Sequence, residues 1–128
     1  MYLRFIIQNL DRQSGRRQGL FQAMSDLEYE GKLLVYEQEL YDETYEWFRK
    51  NLKKPRILSK SSRPHAKNLA LSWFKGGAEQ HINKMRDLAQ ILESHGIQTE
   101  MIRTNRPGYV VYEDDYQIAA EPYKDTGA

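Results

Sequence analysis

The sequence predicts an α+β domain in which helices cover one face of a mostly antiparallel sheet. Three observations carry this reading. The chain opens on a strand-like alternation at residues 2–9. Helical stripes of apolar residues fill its middle. Short extended segments, parted by Pro, Gly and Asp, close it. A length of 128 residues suits one domain, read as 1–122, followed by a mobile tail over 123–128.

In the opening segment Leu3, Phe5 and Ile7 share one face, and Tyr2, Arg4, Ile6 and Gln8 the other. Asp11 to Gly15 reads as a loop. A helix is expected from near Arg16 to Tyr29, with Leu20, Met24 and Leu27 on its apolar stripe and Gly31 as its stop. A second helix is expected from Tyr36 to Leu52, with Tyr41, Tyr45, Phe48 and Leu52 inward and Leu40 and Trp47 beside them, ended by Pro55. Residues 53–67 read as a basic loop in which 56–59 could form a short strand. The apolar run 69–74 reads as a helical turn before Gly76-Gly77. The clearest helix spans about Ala78 to His95, burying Ala78, Ile82, Met85, Leu88, Ala89 and Leu92, with Gly96 as a left-handed cap. A three-stranded antiparallel meander is then expected over 97–103, 109–113 and 116–121. Its turns are a type II turn at Pro107-Gly108 and a tight turn at Asp114-Asp115.

The composition excludes several classes. There is no cysteine, hence no disulfide, thiol nucleophile or Cys-ligated metal. The apolar run at the N-terminus is too short for a signal peptide and contains Arg4. No stretch approaches the length of a membrane helix. A cytoplasmic protein with no membrane partner is expected. A net charge of +1 gives no global attraction to nucleic acid, so any such attraction must be local.

Three blocks are noteworthy: 14–21 (Ser-Gly-Arg-Arg-Gln-Gly-Leu-Phe), Arg63-Pro64-His65-Ala66 leading to Ser72-Trp73-Phe74-Lys75, and Pro107 to Asp114. Together they resemble a family of small bacterial proteins of unassigned function. The resemblance implies a bacterial cytoplasmic protein and supplies no catalytic residues.

Charge is segregated along the chain. No acid falls between Glu46 and Glu79, an interval holding Arg49, Lys50, Lys53, Lys54, Arg56, Lys60, Arg63, Lys67 and Lys75. Acids dominate 26–46. Within the second helix this order follows the macrodipole, acids at the N-terminal end and bases at the C-terminal end. The bases after that helix read either as a solvated loop or as an anion-binding loop. Arg16 and Arg17 would fall in the first turn of the first helix, where the dipole disfavours cations. There they either pair with acids such as Asp11 or complete an anion site with Gly15 and Gly19. The candidate anion-binding set is Arg16, Arg17, Lys60, Arg63, His65 and Lys67.

No catalytic residue, metal site or cofactor is expected. His65, His81 and His95 lack metal-ligand spacing, and no nucleophile elbow occurs. Glu113, Asp114, Asp115 and Glu121 read as turn acids rather than cation ligands. Trp73 and Phe74 read as core rather than as a stacking platform. The function expected is a non-catalytic binding or regulatory protein whose basic loop takes an anionic ligand or partner surface, nucleic acid included. The alternatives are a self-associating module forming a homodimer, and a small enzyme with His65 as acid–base.

Overall fold

Pairing of the strand-like segments satisfies their backbone groups, and among the described residues three amphipathic helices bury their stripes on the resulting sheet. The computed structural model describes residues 1–10, 17–54 and 70–123. The order is β1 (Tyr2–Leu10), β2 (Arg17–Gly19), α1 (Leu20–Tyr29), α2 (Val35–Asn51), β3 (Leu71–Lys75), α3 (Glu79–Ser94), β4 (Thr99–Thr104), β5 (Tyr109–Glu113) and β6 (Gln117–Glu121). The protein is α+β, and the strand pairings among the described residues are all antiparallel.

β1 organises the sheet. Leu3 pairs with both Phe74 and Arg103, and Ile6 with both Gly19 and Glu100. β4 therefore takes one edge of β1, while β3 and β2 share the other. β6 pairs with β3, and β5 with β6. The path is β4-β1-β3-β6-β5, with β2 beside the far half of β1.

Four local expectations are corrected. The first helix begins at Leu20 rather than Arg16, because residues 17–19 pair with β1 and so satisfy backbone groups that a first helical turn leaves open. The apolar run before Gly76 is strand β3, not a helical turn. β4 and β5 are not neighbours, so of the three strands of the expected meander β5 and β6 alone pair and the meander is broken. Residues 105–108 are accordingly a link between strands of different partners, in which Gly108 has φ 135°. A Cβ there would overlap the Glu121 carbonyl group, so glycine is required by close approach as well as by its backbone.

Two apolar clusters lie on opposite faces of the sheet. On the first face Leu3, Phe5 and Ile7 meet Leu20, Met24 and Leu27 of α1, Tyr41 and Phe48 of α2, and Ile82, Met85, Leu88, Ile91 and Leu92 of α3. The inward stripe of α2 differs from expectation at three residues. Tyr45 is 53% exposed, and Glu37 and Thr44 are buried in line with Tyr41 and Phe48. Gly96 caps α3 at φ 78°, as expected.

The second cluster comprises Leu71, Trp73, Ile118 and Ala120, with Tyr2, Ile102 and Val110 packed on it. Among the described residues no helix contributes to it, yet Ile118 and Ala120 are fully buried. The link from Thr104 to Tyr109 constrains the shape of the sheet around it. Thr104 pairs with Tyr2 at one edge and one end of the sheet, and Tyr109 pairs with Glu121 at the opposite edge and opposite end. Laid flat, four strand spacings and about five residues of rise would separate them by roughly 25 Å. Five residue steps span at most about 18 Å. The sheet must curl, and Ile102 of β4 and Val110 of β5 both pack on the second cluster.

Candidate anion-binding site

Of the six residues expected to bind an anion, Arg16, Lys60, Arg63, His65 and Lys67 lie outside the described residues, as do the suggested strand at 56–59 and residues 124–128. Arg17 is on β2, ahead of the helix, so the opposed-dipole argument does not apply to it. Its guanidinium reaches Glu100 at 3.2 Å, and its carbonyl accepts a 3.0 Å hydrogen bond from Arg4. Arg17 and Glu100 flank β1 on opposite sides, which makes this a cross-sheet pair. Both partners are partly solvated, and such pairs contribute about 0–1 kcal/mol.

A different basic site lies between α3 and the β1–β4 edge. There an open cleft of about 380 Å³ is lined by Met1, Leu3, Gly76, Glu79, Ile82, Asn83, Arg86 and Arg103. α3 supplies Glu79, Asn83 and Arg86, which recur at helical spacing along one side. β4 supplies Arg103, which stands opposite Leu3 and therefore on the helix-covered face. Among the described residues neither Arg86 nor Arg103 forms an ion pair or a side-chain hydrogen bond. Glu79 lies about 10 Å along the helix axis from Arg86, at ~1.5 Å per residue, and bonds to neither. The cleft thus offers two guanidinium forks and an amide side chain above an apolar floor of Leu3 and Ile82. Guanidinium forks bind carboxylate or phosphate bidentately.

Sequence reasoning missed this pair because its members are remote in the chain. One signal existed. Arg103 shares the alternation parity of Met101, which packs on the helix-covered core, so a charge stands at an inward-facing position.

The other polar clusters are structural. Glu37 is 1% exposed. It accepts from the Leu34 amide at 2.9 Å, Ser94 Oγ at 3.0 Å and His95 Nε2 at 2.7 Å. It thereby joins the start of α2 to the end of α3. Burial alone would raise its carboxyl pKa, but these donors together outweigh burial and hold it below the ordinary value. His81 is buried, stacked on Tyr116 with ring centroids 4.5 Å apart and edged by Trp47 at 4.8 Å. Its Nε2 lies 2.9 Å from the Asn51 carbonyl, at the end of α2.

Asp114 organises its turn, as the sequence suggests. Its carboxylate accepts from the amides of Tyr116 and Gln117 and from the Tyr112 hydroxyl, at 2.9, 3.1 and 2.7 Å. Burial raises its pKa, and these bonds more than reverse the effect. Lys75 pairs with Glu113 at 2.7 Å, and that hydrogen bond raises the lysine pKa. Trp73 is buried in the second cluster, as the core reading expects, and its indole N–H finds no acceptor among the described residues. No cluster of three metal-ligating side chains occurs among the described residues, and no described helix is long and apolar enough to cross a membrane.

No family model matches this chain, and neither a curated protein nor a solved structure is significantly similar to it.

Proposed function

We propose that this chain is a non-catalytic binding protein for a small anionic ligand, a carboxylate or phosphate, held between Arg86 and Arg103. One observation carries the reading: two arginines from separate elements line one cleft, and among the described residues neither forms an ion pair, not even with Glu79 of the same cleft. Each guanidinium can take an anion bidentately, and a multivalent anion can engage both. Asn83 adds a donor and an acceptor for orientation. The net charge of +1 favours a small anion over nucleic acid, whose binding domains are usually far more basic. The basic interval from Arg56 to Lys67 and Arg16-Arg17 would extend the same preference for anions beyond the cleft.

The test is thermal denaturation in phosphate against chloride at matched ionic strength. A ligand at ten times its Kd stabilises by ~1.4 kcal/mol, or roughly 5 °C for a chain this long. Arg86→Gln with Arg103→Gln is expected to abolish the saturable part of the shift. The general stabilisation by salting-out anions would remain. Arg16→Gln with Arg17→Gln reports separately on the N-terminal arginines. Identical phosphate titrations of the wild type and the cleft variant would overturn the reading.

A further inference from the structure

The outer surface of α2 changes character along its length. At the α1–α2 turn, Tyr29 is 94% exposed, Val35 79%, Tyr36 63% and Leu34 56%. A monomer seldom exposes so many large apolar side chains in one place, and tyrosine is enriched where proteins meet. Glu39 and Glu43 follow on the exposed stripe that begins at Val35 and Tyr36. Among the described residues neither carboxylate has an ion-pair or hydrogen-bond partner. Glu46, next on the stripe, is occupied by Arg49 and Lys50 of its own helix. Past the end of α2, Lys53 and Lys54 are exposed, and their ammonium groups pair with nothing among the described residues. Along the chain the exposed side chains thus run apolar, acidic, then basic, from the start of α2 to just past its end, the helix itself spanning about 25 Å.

We propose that this surface docks a second copy of the chain, with the two α2 helices side by side and antiparallel. The arrangement sets Tyr36 and Glu39 of each copy near Lys53 and Lys54 of the other. It brings unpaired acids to unpaired bases twice, and it covers both aromatic tips. The contact is the same from either side, so a two-fold axis closes it as a dimer rather than an open chain. Charge complementarity selects the occupant: the bases that match the acidic stretch lie just past the opposite end of the same helix. The surface is independent of the cleft on α3.

Sedimentation velocity up to about 1 mM protein tests the proposal, since weak dimers populate at that concentration. The wild type is expected to dimerise, and to dissociate as salt rises from roughly 0.05 to 0.5 M. Glu39→Lys with Glu43→Lys makes the whole surface basic. Lys53→Glu with Lys54→Glu makes it acidic. All four side chains are exposed, so both variants should keep the wild-type circular dichroism. Each alone is expected to be monomeric, and an equimolar mixture should form a heterodimer. A wild type that stays monomeric to about 1 mM, or a mixture that does not reassociate, overturns the proposal. So does a dimer indifferent to salt and to the charge changes.

Discussion

The two faces of the sheet bury their side chains by different means. The first is covered by α1, α2 and α3, each laying down a stripe of period 3.6. The second has no described helix, and there Trp73, Ile118 and Ala120 are buried with Ile102 and Val110 of the two outer strands packed on them. A helix-covered face is held by contacts that each helix makes locally. A curled face is held by whatever forces the curl, here the short link between the two edge strands. One residue in that link therefore matters as much as several in the core.

The largest expected effect follows from this. Gly108→Val should cost more than about 4 kcal/mol, because the side chain overlaps the Glu121 carbonyl and forces a strained backbone. Chemical denaturation that gave an unchanged midpoint would refute the closure. Next come matched truncations on the two faces. Leu88→Ala and Ile118→Ala each remove a fully buried side chain and should each cost about 2–5 kcal/mol. An Ile118 cost under ~1 kcal/mol would mean that the curled face collapses easily around a cavity and packs less tightly than the helical one.

A third effect separates the faces by pH. Glu37 ties α2 to α3 on the helical side. Its folded pKa lies below the ordinary 4.5, so its stabilisation is complete above that value and is lost as pH falls through the folded pKa. Glu37→Gln should cost on the order of 3 kcal/mol at neutral pH, and should flatten the loss of stability below pH 4.5. A variant with the same acid limb as wild type would show that other carboxylates set it. The smallest effect is Trp73→Phe. It trims buried volume but removes an indole N–H that lacks an acceptor, and orphaned donors cost about 1–3 kcal/mol. The two should nearly cancel, leaving a net change under ~1 kcal/mol. A loss of several kcal/mol in the melting curve would mean that the indole N–H is satisfied.

These contrasts track what was legible in the sequence. Ile82, Met85, Leu88 and Leu92 of α3 announce themselves by spacing alone, because a helix writes its buried face into local periodicity. β3 did not, because Leu71 and Trp73 face one cluster while Phe74 packs on the other. A strand apolar on both sides has no alternation to read. The inward position of Glu37 was equally hidden, since a carboxylate is buried only when donors from elsewhere, here Ser94 and His95, converge on it. The cleft needed still more: Arg86 and Arg103 come to line one cleft only through the β1–β4 register and the seating of α3. Gly108 was recognisable as special, but the reason lay in Glu121, a contact no local window contains.

The placement of β1 has a consequence for how the chain is made. Its neighbour β4 ends at Thr104, about a hundred residues downstream. At translation rates of about 5–20 residues per second, β1 waits some 5–20 s for that partner to be synthesised. During that interval Phe5, Ile6 and Ile7 belong to an extended segment with one bare edge. Long-range pairings of this kind slow folding, and they leave nascent chains open to trapping by other chains. The hairpin-like return of β2 onto Ile6 and Leu10 is the first pairing available to β1. It can shield the far half of the strand long before the rest of the sheet exists.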